Sequence, residues 1–306
     1  MAYTEDYRRQ VALLIRILPF VGEEECFALK GGTAINLFIR DLPRLSVDID
    51  LTYLPVKSRS ESLAEIDAAM KRIEGRIKNG LPAAAISRTS TEDTITKLLV
   101  REDGIQIKIE VTPVLRGCVF EPEVRDVSAA VEEGFGYARI QLVSFADLYA
   151  GKLVAALDRQ HPRDLFDVRD LLNNEGIGDD LRDAFIVYLI SHDRPMSETL
   201  NARRKDIGQL FERNFAGMTA DPVQLDDLLQ ARERMIEILI GYMPTRHKEF
   251  LIGFEKGTPD WSLLGLKNVD QLPAVLWRQK NLDLLPADRR AALVADLEKA
   301  LNEKKS

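Results

Sequence analysis

The chain has 306 residues, 45% apolar and 30% charged, the proportions of a folded protein long enough for two domains. A formal charge of −7 and a pI near 5.3 exclude a uniformly basic coat for nucleic acid, though not a local basic groove. Two cysteines, Cys26 and Cys118, with no CxxC spacing, exclude a disulfide framework and a cysteine-built zinc site.

Tyr7, Val11, Leu14, Ile15 and Leu18 recur at helical spacing and predict an opening helix over 5–18. Cys26 to Leu29 reads as a short buried strand running into the tight turn Lys30-Gly31-Gly32-Thr33. A helix over Ala34 to Arg40, capped near Thr33, is expected next. Leu45 to Leu54 alternates apolar and polar residues, a strand signal that Pro55 ends. Ser60 to Lys78 is a charged amphipathic helix. Strands are expected at Ala85–Thr89, Ile95–Arg101 and Ile105–Thr112, the last two joined by the hairpin turn Glu102-Asp103-Gly104. A further short strand falls at 139–143. From Ser144 the pattern turns helical, with helices expected at 144–158, 164–174, 179–193, 197–213, 223–242 and over the last 15–20 residues. The expected organisation is an α/β domain over 1–143 followed by an all-α domain over 144–306, an α+β chain overall. Both cysteines are expected to be packing residues in a reducing compartment. The opening MAYTEDYRRQ lacks a signal-peptide layout, and no run approaches the ~20 apolar residues of a membrane helix. A cytoplasmic location away from membranes is therefore expected.

Three small features carry the chemistry. A Gly-Gly turn between strand and helix is often only a turn. It also lets a backbone approach a phosphate at a helix N-terminus, where unpaired N–H groups and the dipole favour anions. Asp48 and Asp50 lie two apart on a strand, so their side chains share a face, ~6.6–7 Å apart along it. Two ionised carboxylates at one site repel unless a cation sits between them. Magnesium accepts one or two carboxylates plus substrate phosphates. The plainer alternative is a pair of exposed acids on a polar strand face. Gln106, Lys108 and Glu110 share the polar face of a later strand, which can bring a third carboxylate beside the pair.

The order strand, Gly-Gly turn, helix, DxD strand, later Glu strand resembles the polymerase-β-type nucleotidyltransferase fold. The resemblance sharpens in Lys30-Gly31-Gly32-Thr33 and in Arg44-Leu45-Ser46-Val47-Asp48-Ile49-Asp50. These are similar to the KGGT and R-x-S-x-D-I-D motifs of the AbiEii/AbiGii toxin family of type IV toxin–antitoxin systems, relatives of the MenT toxins. Leu148 to Leu153 and Arg159 to Asp167 are similar to its L-x-x-x-K and R-x-x-x-R-D-x-x-D motifs. Gly217-Met218, Pro259-Asp260-Trp261 and Leu272 to Val275 with Trp277 fit its tail. The stretch from Gly32 to Asp48 is longer than is common in the fold, which implies an extended helix or loop there.

The resemblance implies a nucleotidyltransferase with Ser46, Asp48, Lys152 and Asp164 as core positions. Asp48, Asp50 and Glu110 would hold two Mg²⁺ ions. Lys30, Gly31, Gly32, Thr33, Ser46, Lys152 and Arg163 would bind the NTP. Asp167 would hold Arg163 or Lys152 in place, capping is the plainer role for Asp164, and His161 is expected in a loop. The implied reaction transfers NMP to the 3′ end of tRNA, releases pyrophosphate and blocks translation. An antitoxin, either an AbiEi-like winged-helix protein or another product of the adjacent gene, is the implied partner. Alternatives are transfer to a protein hydroxyl (AMPylation) or another RNA, or a non-catalytic nucleotide- or antitoxin-binding role. Lys71, Arg72, Arg76 and Lys78, with Arg203, Arg204 and Lys205, are the candidate RNA-contacting patches, although charged helix faces are usually only solvated surface.

Overall fold

A computed structural model describes residues 4–302. By internal contacts the chain divides into two compact units, one of residues 1–144 with 217–222, the other of 145–216 with 223–306.

The first unit is built on a seven-stranded mixed sheet. In chain order it runs α1 (Glu5–Gly22), β1 (Phe27–Lys30) and α2 (Gly31–Ala34), which continues as a π-helical turn over Ile35–Ile39. Then come β2 (Asp48–Tyr53), α3 (Arg59–Gly80), β3 (Ala85–Thr91), β4 (Thr94–Glu102), β5 (Ile105–Arg116), β6 (Glu123–Asp126), α4 (Ala129–Phe135) and β7 (Arg139–Leu142). The sheet order is β3-β4-β5-β2-β1-β7-β6. β2 and β5 are parallel neighbours at its centre, with β1 antiparallel to β2 and β4 antiparallel to β5.

Alternation decides which face is buried. In β5, Ile105, Ile107, Ile109 and Val111 are buried while Lys108 and Glu110 between them stay half-exposed. Ile49 and Leu51 of β2 and Leu98 and Val100 of β4 continue the apolar face. α1 and α3 pack on the sheet, contributing buried Leu14, Ile17, Leu18, Ile66, Met70, Ile73 and Ile77. Each such side chain stabilises the fold by about 1.5–3 kcal/mol. The polar face keeps the charged residues, and a one-residue slip would exchange the two sets.

Several elements differ from the sequence expectation. α1 runs through Pro19 to Gly22. The expected helix from Ala34 begins earlier, at Gly31, and becomes π-helical. β2 begins at Asp48, so Leu45 to Val47 lie outside it. β5 runs past Pro113 because the β2–β5 register shifts between Leu51 and Tyr53, and a bulge spares the residue that lacks an N–H. β6 and α4 had no sequence signal.

The second unit is helical: α5 (Phe145–Arg159), α6 (Pro162–Asn174), α7 (Asp179–Ile190), α8 (Met196–Asn201), α9 (Gly208–Asn214), α10 (Leu225–Ile236), α11 (Thr245–Lys256), α12 (Pro273–Asp283) and α13 (Ala287–Asn302). A π-helical turn, Glu237–Gly241, extends α10. The single helix expected at 197–213 is two, α8 and α9, broken where Ala202 adopts a left-handed conformation (φ 44°). Tyr149, Phe166, Phe185, Phe215, Phe250 and Phe254 fill its core.

Residues 217–222, which the sequence reading gave to the helical part, belong with the sheet unit. Leu45 N–H donates to Met218 O at 2.8 Å and Ala220 N–H to Pro43 O at 2.9 Å, around an isolated antiparallel bridge between Arg44 and Thr219. No described helix is long and apolar enough to cross a membrane.

Candidate active site

The Gly-Gly segment and the acidic strand meet closely. Gly31 has φ +78°, and a Cβ there would stand 2.9 Å from Asp50 Oδ2. Only glycine combines that conformation with that approach. A Cβ on Gly32 would stand 2.6 Å from both Ser46 Oγ and Arg44 Nη2. The start of α2 is thus packed against a carboxylate, a hydroxyl and a guanidinium. Asn36 Nδ2 donates to Gly32 O at 2.7 Å, and its Oδ1 accepts from Arg44 N–H at 3.2 Å.

Ser46 lies within the strand expected over Leu45 to Leu54 but precedes β2, so strand alternation does not place it. It is positioned instead by contacts. Its hydroxyl lies 3.3 Å from Thr33 Oγ1, and its N–H donates to the Tyr7 hydroxyl at 3.3 Å. Burial pushes the Tyr7 phenol up to about 12, against the pull of Ser46 N–H and Arg44. Tyr7 had only a helical apolar signal in the sequence.

Register assembles the charged face. Asp48 is directly beside Lys108, and Asp50 is beside Glu110, across the parallel β2–β5 pair. Lys30 is opposite Asp50 across β1–β2, and Lys97 is opposite Glu110 across β4–β5. Registered partners share a face, so Lys30, Asp50, Glu110 and Lys97 form one row, with Asp48 and Lys108 in the next. Burial raises the Asp50 carboxyl above its ordinary range, and the Asp48 and Glu110 charges add to this while Lys108 and Lys30 oppose it. Burial lowers the Lys30 ammonium, which Asp50, Cys118 and Glu110 partly offset.

Glu110 is engaged on both oxygens. Lys97 Nζ lies 3.1 Å from Oε1 and Lys108 Nζ 2.8 Å from Oε2, and Lys108 Nζ is also 3.6 Å from Asp48 Oδ2. Burial works to raise the Glu110 pKa, but the two ammonium groups bring it below the ordinary range. Among the described residues, no group of three His, Cys, Asp or Glu side chains is arranged to hold a metal. Asp48 and Asp50 share the strand face and Glu110 lies beside Asp50 in register, with Lys97 and Lys108 on its two oxygens. The donor chemistry of Asp48, half-exposed, with Asp50 fits a hard cation.

In the helical unit, Lys152 of α5 and Asp164 and Asp167 of α6 form a buried cluster. Lys152 Nζ lies 2.9 Å from Asp164 Oδ1 and 3.0 Å from Asp167 Oδ2, with side-chain exposures of 9%, 2% and 1%. Arg159 adds a fork on Asp164, its Nη2 3.0 Å from Oδ1. Burial alone would raise the Asp164 pKa; Lys152 and Arg159 hold it well below the ordinary range. Asp167 does hold Lys152. Asp164 does not cap α6: His161 does, its Nδ1 accepting from Arg163 N–H at 3.1 Å ahead of Pro162.

Among the described residues, six of the seven side chains of the basic patches, all but that of Arg203, are engaged by other groups of the chain. Lys71 meets Asp67, Arg72 meets Glu24, Arg76 meets Glu23 and Glu24, and Lys78 meets Glu74. Arg204 pairs with Glu233, and Lys205 Nζ donates to Asp158 O. Both cysteines are free thiols, and burial pushes Cys26 up to about 11.

A parallel DxD strand beside a glycine-opened helix, in a mixed sheet followed by helices, defines a nucleotidyltransferase fold. The chain belongs to the family described as Nucleotidyl transferase AbiEii toxin, Type IV TA system, which it matches over residues 12–275. It is an enzyme of nucleotidyl transfer, of the toxin class in type IV toxin–antitoxin systems. Among solved structures it is similar to MenT4, a nucleotidyltransferase toxin from Mycobacterium tuberculosis H37Rv. The two are 16% identical, with 98% of this chain and 94% of that chain covered and a TM-score of 0.53; at this identity the likeness shows the fold. Among curated proteins no match is found.

Proposed function

We propose that the protein transfers a nucleoside monophosphate from an NTP to the 3′-terminal hydroxyl of tRNA, with Mg²⁺, and thereby blocks translation. The acceptor oxygen bonds to the α-phosphorus, the bond from that phosphorus to the bridging oxygen breaks, and pyrophosphate leaves as the hydroxyl loses its proton. The observation that carries the reading is the approach of the Asp50 carboxylate, paired with Asp48, to the Gly31 backbone. It supports a polyphosphate gripped at the start of α2 next to carboxylates able to hold a cation.

In this reading Asp48 and Asp50 hold the ion. When bound, Mg²⁺ supplies Lewis-acid charge stabilisation at the reacting phosphoryl group. Lys30 and the amides of Gly31, Gly32 and Thr33 bind phosphate oxygens, and the Ser46 hydroxyl, already turned toward Thr33 Oγ1, orients them. Lys152 and Asp164 enter on the family resemblance, as residues required for activity, and Arg163 as a cation able to pair with a phosphate. The tRNA acceptor and the antitoxin, for which a winged-helix protein is the proposed partner, also rest on the family. A cytoplasmic site of action follows from that substrate.

The test incubates purified protein with total tRNA, Mg²⁺ and each α-labelled NTP in turn. Label that enters tRNA, survives protease and is released by nuclease is the expected result. Label that survives nuclease and is lost to protease would establish transfer to a protein hydroxyl instead. Growth arrest retained by Asp48→Asn, with no label transferred, would establish a non-catalytic role.

A further inference from the structure

The polar face of the central strands carries three acids and three lysines: Asp48, Asp50 and Glu110, with Lys30, Lys97 and Lys108. A two-ion site needs a third carboxylate free to join the first two. Here that carboxylate is Glu110, and an ammonium occupies each of its oxygens, at 3.1 Å and 2.8 Å. Sheet register fixes both lysines. Lys97 stands directly across from Glu110, and Lys108 lies two residues away on the same strand and face. Lys108 also reaches Asp48 Oδ2 at 3.6 Å, so its charge bridges the third carboxylate and the first.

We infer that Lys108 stands in place of a second divalent ion: Asp48 and Asp50 hold a single Mg²⁺, and Glu110 serves to fix the Lys108 ammonium rather than to bind metal. The inference rests on the proposed metal-dependent transfer and specifies its ion count. The physical reason is local charge balance. The three acids are already matched by three lysines. A divalent ion entering between Asp48 and Glu110 would have to displace an ammonium held by two carboxylates, and would meet like charge from Lys97 as well. Sequence alternation alone put Lys108 and Glu110 on one face. The register of β2 against β5 is what sets Lys108 next to Asp48.

The test counts ions directly. Crystals of the full chain are soaked with Mn²⁺ and, separately, with Mn²⁺ plus the α,β-methylene analogue of each of the four common NTPs. Anomalous scattering then locates the metal. One Mn²⁺ per chain, ligated by Asp48 and Asp50 with none on Glu110, is the expected result. Lys108→Ala and Lys108→Gln are expected to change one ion to two, the second on Glu110, whereas Lys108→Arg keeps one. Mn²⁺ on Glu110 in the wild-type chain, or folded Lys108→Ala and Lys108→Gln chains that still hold one ion, would overturn the inference and leave the transfer reading standing. No Mn²⁺ at Asp48 or Asp50 under any condition would overturn both.

Discussion

At the residue scale, the glycines are held in place by what touches them. Gly31→Ala puts an L-residue in the left-handed region, at a cost of about 1–2 kcal/mol, and drives its methyl group into Asp50 Oδ2. We expect a modest fall in denaturation midpoint with transfer reduced at least 100-fold; urea unfolding and labelled-nucleotide transfer measure the two. Asp48→Asn is a cleaner probe, because the side chain is half-exposed. It should leave the melting temperature within a few degrees and abolish transfer. Lys152 is different, since removing its charge leaves Asp164 and Asp167 buried side by side. Breaking a buried pair this way costs about 3–5 kcal/mol, so Lys152→Met should lose stability as well as activity. The pH dependence follows by linkage. The Asp164 pKa is depressed in the folded state, so its stabilisation is full above the ordinary carboxyl value of about 3.9 and is lost as pH falls through the folded value. Acid unfolding followed by circular dichroism should begin below about pH 4, and Lys152→Met should move its midpoint upward.

At the element scale, the caps and the alternation explain what could be read in advance. α3 opens with Ser58, whose hydroxyl accepts from Glu61 N–H while Glu61 returns a carboxylate to Ser58 N–H. Ser58→Ala should cost about 1 kcal/mol, measured by urea denaturation, with transfer unchanged. The strands bearing Asp48, Asp50 and Glu110 were legible because isoleucines alternate with charges. β6 was not, because Glu123 to Asp126 is a short edge segment with a half-buried pattern and no apolar face. The π-helical turn after Gly-Gly was not legible either, since INLFI is equally good α-helical sequence; a hydrogen bond closing over five residues, from Arg40 N–H to Ile35 O at 2.9 Å, is a tertiary outcome. At the site, residue types announced Asp48 and Asp50. The roles of Tyr7, Asn36 and Lys97 depend on long-range packing and register that no local pattern encodes.

At the scale of the whole molecule, the chain does not pass from sheet unit to helical unit once. It returns over 217–222 to hydrogen-bond with Pro43 and Leu45, the residues flanking Arg44 and leading to Ser46. Gly217-Met218 was visible as a tail motif, but its partner segment was not, since more than 170 residues of sequence lie between them. A chain cut after 144 lacks this strap together with Lys152 and Asp164, so it should fail to transfer label even where its sheet folds. That strap also sets an order of events during synthesis. The backbone bonds at Leu45 N–H and Pro43 O cannot close until residues 218–220 have left the ribosome, so this corner of the sheet unit is completed only after most of the chain has been made.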